Sequence, residues 1–127
     1  MTELTLYHNG PSTCSQKVRL ILELKKLPYV SKEVNLLAGE QHSPEYVKLN
    51  PNHVVPTLVT KNDILIESNL IVEYLDDAFP EIPARPSSPE AIHKVRLWMK
   101  YIDTFQQYTG PITHGIAVRK LQMDKSD

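Results

Sequence analysis

The stretch Leu4-Thr5-Leu6-Tyr7-His8-Asn9-Gly10-Pro11-Ser12-Thr13-Cys14-Ser15 decides how this chain is read. Leu4 to Tyr7 alternates like a half-buried strand, and His8-Asn9-Gly10-Pro11 breaks it. Beyond the break, Val18, Ile21 and Leu22, with Leu20, Leu24 and Leu27, recur at helical spacing. A hydroxyl, Ser12, and the chain's one cysteine, Cys14, therefore stand where a helix begins. Unpaired backbone N–H groups and the positive end of the helix dipole converge at such a point. They stabilise a thiolate, whether the protein's own or one carried by a ligand. Thiol chemistry is the first functional expectation.

Outward from this stretch the pattern is strand, helix, strand, over residues 3–8, about 14–27 and about 30–36. Pro28 stops the helix, and Val30, Val34 and Leu36 share one face of the second strand with Lys32. Such a unit gives two parallel strands with a right-handed crossover. Ser43 and Pro44 read as N-cap and first position of a short helix that Asn50-Pro51-Asn52 ends. Pro56-Thr57-Leu58-Val59 and Ile64-Leu65-Ile66 form a hairpin across Thr60-Lys61-Asn62-Asp63. Ser68 is expected to cap a helix with Leu70, Ile71, Tyr74 and Leu75 on its core face, closed by Phe79-Pro80. The order βαβ-ββα predicts an α/β domain on a four-stranded mixed sheet.

Residues 81–89 carry Pro83, Pro86, Ser87, Ser88 and Pro89 and read as a stiff linker between residues 1–80 and residues 90–127. Beyond it, Ile92, Val95, Trp98 or Met99, Ile102 and Phe105 lay an apolar stripe along a helix. The helix starts with Ser88 before Pro89, or with Ser87 and Glu90 in a capping box. One amphipathic helix cannot make a core alone, so residues 90–127 are expected to be the start of an all-α second domain.

Bulk properties narrow the function. The 127 residues carry a net charge of -1 with no basic cluster, which argues against a nucleic-acid partner. Neither a membrane-length apolar run nor a secretory pattern is present, and the lone cysteine cannot form an internal disulfide. These features predict a cytoplasmic protein with no membrane association. His8, His42, His53, His93 and His114 show no metal-ligand spacing, so no metal is expected.

Each candidate residue has two open readings. Ser12 is a favoured N-cap, worth roughly 0.5–2 kcal/mol over alanine, or a thiol-activating hydroxyl. Cys14 is a small buried hydrophobe or a reactive thiol. Pro56 is an ordinary strand-entry proline, or it follows a cis bond that frees the Val55 backbone to pair with an extended peptide ligand. Glu67-Ser68 is a plain helix start, or a carboxylate and hydroxyl set to hold an amino-acid head group. Together, thiol activation, backbone pairing and amino-acid recognition match the three parts of glutathione in order.

With these residues in place, the chain resembles the N-terminal, thioredoxin-like domain of the glutathione S-transferase superfamily. The resemblance rests on Ser12 to Arg19, Leu49-Asn50-Pro51, Val55-Pro56-Thr57-Leu58 and Glu67-Ser68. Ser-x-Cys-Ser-x-x-Val-Arg is similar to the zeta class, and the chain looks particularly like its tetrachlorohydroquinone reductive dehalogenase branch. The resemblance implies that Ser12 donates a hydrogen bond to the glutathione sulfur. It implies that Cys14 takes the glutathionyl group from a substrate conjugate. Val55, beside a cis Pro56, would pair with the cysteinyl backbone, and Glu67 and Ser68 would hold the γ-glutamyl end. Gln41, His42 or His53 would receive the glycyl carboxylate. It further implies glutathione as co-substrate, a small hydrophobic electrophile as second substrate and a homodimer. Conjugation or reductive dehalogenation is the activity expected. Cis-trans isomerisation of the zeta type, or a non-catalytic binding or assembly module, is the alternative.

Overall fold

The structure, a computed structural model, describes residues 3–124. Its elements are β1 (Thr5–His8), α1 (Thr13–Leu24), β2 (Val30–Glu33), a 3-10 turn (Glu40–His42), α2 (Pro44–Val47), β3 (Thr57–Val59), β4 (Ile64–Leu65), α3 (Ser68–Ala78), α4 (Pro89–Thr113), a π-type turn (His114–Val118) and α5 (Arg119–Met123). Residues up to Ala84 form one compact unit and those from Arg85 a second.

The first unit is built on a four-stranded sheet in the order β2-β1-β3-β4. β1 runs parallel to β2 and antiparallel to β3, and β3 runs antiparallel to β4, so the sheet is mixed as expected. Alternation along β1 sorts its side chains. Leu4 and Leu6 join Val18 and Leu22 of α1, Leu58 of β3, and Ile71 and Leu75 of α3 in the main core. Tyr7 packs instead into a smaller cluster with Val34, Tyr46 and Val55. A period of two thus divides one strand between two apolar clusters.

α1 begins where the sequence places it, with Ser12 Oγ accepting from Ser15 N at 3.3 Å. It ends earlier than expected, at Leu24 rather than near residue 27. Lys26 adopts a left-handed φ of 54°, Lys26 N donates to Glu23 O and Leu27 N to Leu22 O. That is a Schellman closure, and the usual glycine signal is missing because a lysine holds the left-handed position. Ser43 caps α2 through Tyr46 N, with Pro44 in the first turn.

Several side-chain expectations are corrected. β2 is a strand edge and all four of its residues are exposed, so Val30 and Lys32 share no buried face. Val34, just past the strand, is the residue that buries. Leu20 and Leu24 of α1 and Leu70 of α3 point to solvent, because only one stripe of each helix meets the sheet. Ser68 is not the cap of α3. Glu67 holds the cap position with a left-handed φ of 69°, and Ser68 is the first helical residue.

A buried ion pair fastens the end of α1 to α3. Lys25 Nζ lies 2.6 Å from Asp76 Oδ1, and the two side chains are only 1% and 7% exposed. The ammonium also donates to Phe79 O and Ile82 O, while Asp76 Oδ1 accepts from Ala84 N. With every proton of the ammonium used, the chain leaving α3 is tied to the first unit.

In the second unit, Ser88 Oγ accepts from Ala91 N at 3.2 Å and Pro89 opens α4. The helix runs 25 residues, longer than its apolar stripe suggests. None of its residues is buried, and Trp98, Ile102 and Phe105 are exposed. Among the described residues no helix is long and apolar enough to cross a membrane.

Removing one partner of the Lys25–Asp76 pair strands a buried charge, which costs about 3–5 kcal/mol. Urea denaturation of Asp76→Ala is expected to show a loss of that size. The double variant Lys25→Met with Asp76→Leu is expected to recover only part of it, because Phe79 O, Ile82 O and Ala84 N lose their partners as well.

Candidate functional site

Ser12 sits where β1 has just ended and α1 is about to start. Its backbone carbonyl accepts from Gln16 N, and its N–H donates to Asn9 O. Because Oγ already accepts from Ser15 N, the hydroxyl hydrogen is left to donate elsewhere. Cys14, one residue into the helix, is a half-buried free thiol. The orphan N–H groups of the first turn belong to this same spot.

The loop that delivers Ser12 is held from both sides. Arg19, further along α1, donates from Nη1 to Asn9 O at 3.1 Å and from Nη2 to Gly10 O at 2.9 Å. Glu33, at the end of β2, accepts from Gly10 N at 3.0 Å and Asn9 Nδ2 at 3.2 Å through Oε1. Buried Ser15 accepts from Asn9 N. Behind the loop His8 is 7% exposed, with Nε2 2.7 Å from Ser31 Oγ and Nδ1 2.9 Å from Arg19 Nη1. Burial holds the His8 pKa below its ordinary 6.5, Glu33 opposing the shift and Arg19 adding to it.

The Val55-Pro56 bond is cis, the conformer that the peptide-pairing reading requires. Among the described residues neither the N–H nor the C=O of Val55 has a hydrogen-bond partner. A closed polar network fixes the residues around it. Tyr46 Oη donates to Val54 O at 2.7 Å, which leaves Thr57 Oγ1 to donate its hydrogen to Tyr46 Oη at 2.9 Å. Asn50 Nδ2 donates to Thr57 Oγ1 at 3.1 Å and to Val54 O at 3.0 Å, and Asn50 Oδ1 accepts from Asn52 N. Asn50 and Thr57 are fully buried. Desolvation pushes the Tyr46 phenol above its ordinary pKa of 10.0, which keeps it a donor.

Glu67 and Ser68 follow β4. The left-handed backbone of Glu67, costly for any residue with a Cβ, turns the chain sharply into α3. Ser68 is buried, and Glu67 leaves its carboxylate exposed. Lys17 of α1 donates to Asn69 Oδ1, joining the starts of α1 and α3.

Strand register brings these segments together. Tyr7 pairs with Thr57 and Leu58 with Leu65 across antiparallel ladders. The exit of β1, the entry to β3 and the exit of β4 therefore lie at one end of the sheet. Ser12, Val55 and Glu67-Ser68 are attached to those three points. Gln41, His42 and His53 also meet, close by in the chain before Val55. His42 Nδ1 lies 3.0 Å from His53 Nδ1 with ring centroids 5.1 Å apart, and Gln41 Nε2 lies 3.3 Å from His42 Nε2. Both rings are exposed, and His53 has a left-handed φ of 58°. Among the described residues no group of three or more His, Cys, Asp or Glu could hold a metal.

The arrangement offers a hydroxyl donor at a helix N-terminus, an unpaired peptide group on a strand entry, and a carboxylate with a hydroxyl at a second helix start. An extended tripeptide-like ligand with a thiol, a central peptide and an amino-acid head can use all three. Sequence reasoning did not identify the residues that support these groups. The local pattern around Arg19, Tyr46 and Asn50 does not reveal the supporting role of these residues, since it depends on partners that lie elsewhere in the chain. The Leu49-Asn50-Pro51 run reads as a helix stop and as part of the family resemblance, and neither shows what Asn50 holds.

Residues 11–78 match the family pattern of the glutathione S-transferase N-terminal domain. The chain is 45% identical over 92 residues to a zeta-class glutathione S-transferase of Euphorbia esula, covering 72% of this chain and 40% of that protein. It is 40% identical over 121 residues to the maleylacetoacetate isomerase maiA of Aspergillus fumigatus, covering 88% of this chain and 51% of the relative. The chain thus spans about half or less of these two proteins' lengths. Among solved structures, the beta-etherase LigF from Sphingobium superposes with a TM-score of 0.83 at 34% identity, over 90% of this chain and 48% of the other.

Truncating Asn50 leaves Thr57 Oγ1 and Val54 O without their shared donor inside the fold. Asn50→Ala is expected to lose about 1–3 kcal/mol, read as a lower urea midpoint with an unchanged slope.

Proposed function

The chain belongs to the glutathione S-transferase family, and on that premise we propose that it binds glutathione and activates its thiol for attack on a small hydrophobic electrophile. The observation that carries this reading is the convergence of Ser12, Val55 and Glu67-Ser68 at one end of the sheet. Glutathione, when bound, supplies the nucleophilic sulfur. Ser12 donates its uncommitted hydroxyl hydrogen to that sulfur and, with the N-terminus of α1, favours the thiolate. Val55 N–H and C=O pair with the cysteinyl backbone beside Pro56. Glu67 takes the α-ammonium of the γ-glutamyl group and Ser68 its carboxylate. Gln41, His42 and His53 receive the glycyl carboxylate. The contacts support this: with Gln41 Nε2 donating to His42 Nε2, the His42 ring hydrogen sits on Nδ1 and donates to His53 Nδ1, which leaves the His53 Nε2–H to donate to an anion.

In the same reading, residues 1–80 are the glutathione-binding domain, 81–89 the linker and 90–127 the start of a helical domain. The protein is read as a cytoplasmic homodimer. Its α4 carries an exposed apolar stripe that includes Trp98, Ile102 and Phe105.

A second reading is cis-trans isomerisation by reversible thiol addition, favoured by the match to the Aspergillus isomerase along 88% of this chain. Cys14 separates the two. If the protein dehalogenates, Cys14→Ser is expected to abolish that turnover while leaving conjugation intact; isomerisation is expected to survive the same change.

Calorimetry with glutathione tests the central claim, and absence of binding at millimolar ligand in the folded chain would overturn it. Ser12→Asp preserves a good helix cap but places a like charge against the thiolate. It is expected to fold normally and to lose roughly 10²-fold or more in turnover with a generic electrophile. Ser12→Ala is expected to lose a comparable factor with a modest drop in stability.

A further inference from the structure

We propose that His8 is a positioning residue whose neutral ring holds the Ser12 loop in place, and whose protonation releases it. The inference rests on the glutathione reading for its functional consequence. Its structural part stands on the contacts around His8.

Arginine has no acceptor, so the 2.9 Å contact between Arg19 Nη1 and His8 Nδ1 assigns the lone pair to Nδ1. The ring hydrogen then sits on Nε2 and donates to Ser31 Oγ. Both ring nitrogens are thereby used in the neutral state. A second proton has to go to Nδ1, where it faces a guanidinium at hydrogen-bond distance. Two donors and two like charges cannot keep that contact. The acceptor within reach is Glu33 Oε2, 3.7 Å from Nδ1.

Those two neighbours are the pair that grips the loop. Arg19 holds the carbonyls of Asn9 and Gly10, and Glu33 holds the Gly10 N–H and the Asn9 side chain. When His8 is charged, it repels the first grip and competes for the second. Glu33 of β2 and Arg19 of α1 are the charged groups that act on the ring. Ser31 comes from β2, and β3 along the opposite edge of β1 offers only Thr57, Leu58 and Val59. His8 is thus the junction where the carbonyl-side and amide-side supports of the loop meet, and Asn9-Gly10-Pro11 leads directly from it to Ser12.

The sign follows from the burial. A ring whose pKa lies below 6.5 is neutral at pH 7 and above, so the loop is held there. As pH falls through the window below 6.5, protonation loosens it, and ligand affinity falls with it.

S-methylglutathione, which lacks an ionisable thiol, is the probe. Its affinity for the full chain is compared at about pH 7.5 and about pH 5 in the wild type and in His8→Asn. The amide introduced by that change can accept from Arg19 through its oxygen, and it takes up no proton. The expected result is a wild-type dissociation constant that rises about three- to tenfold more than the variant's on acidification. Equal changes in the two proteins overturn the proposal. Absence of binding to either at both pH values overturns the glutathione reading instead. The His8 inference is then decided by nuclear magnetic resonance of the wild type. The Gly10 and Ser12 amide signals are expected to titrate with the His8 ring, and signals that stay fixed while the ring titrates overturn it.

Discussion

A chain of hydrogen bonds, from Asn50 through Thr57 and Tyr46 to the carbonyl of Val54, is the constraint on which the candidate site depends. Its members come from the end of α2 and the start of β3. Asn50, Thr57 and Tyr46 are buried, and none can rotate away without leaving a donor or acceptor unpaired. The network uses its polar capacity internally. That is why Val55, the next residue, can leave both of its backbone groups unpaired without the segment collapsing onto the sheet. Order in one place sustains an opening in the next.

The Ser12 side is organised by the opposite means. There the holding groups are charged and partly exposed, with Arg19 gripping carbonyls and Glu33 gripping amides of the same two loop residues. A neutral network such as that around Asn50 is indifferent to pH near neutrality, whereas the loop beneath Ser12 is backed by a histidine at the end of β1. One end of the candidate site is therefore rigid by packing, and the other is set by charge. The Lys25–Asp76 pair belongs to neither end; it secures the exit of α3 and the chain that follows.

Convergence of the site is a property of the sheet. Antiparallel pairing of β3 with both β1 and β4 carries the exits of two strands and the entry of a third to one edge. Helices α1 and α3 start there, so two helix N-termini point at one place. A thiol-bearing peptide with an amino-acid head suits that combination of dipoles, backbone and carboxylate. The family match over residues 11–78 spans most of the elements that create it.

How much of this was legible in the chain depends on how far apart the interacting groups lie. Caps and strand alternation are local, and Ser12, Ser43 with Pro44, and Ser88 with Pro89 could be placed from near neighbours in the chain. The order of elements and the mixed four-stranded sheet follow from the same short-range pattern. Which residues hold the site did not. His8, Arg19 and Glu33 meet from β1, α1 and β2, and the left-handed turns at Lys26 and Glu67 use residues that carry no glycine signal. Leu20, Leu24 and Leu70 look like core in a helical repeat, yet a helix on a sheet buries one stripe only. By itself the sequence determined where most elements begin, because capping and periodicity act between near neighbours. Only the tertiary structure decided which faces are buried, how Val55 is left open and what holds Ser12, because those outcomes depend on groups brought together by strand pairing.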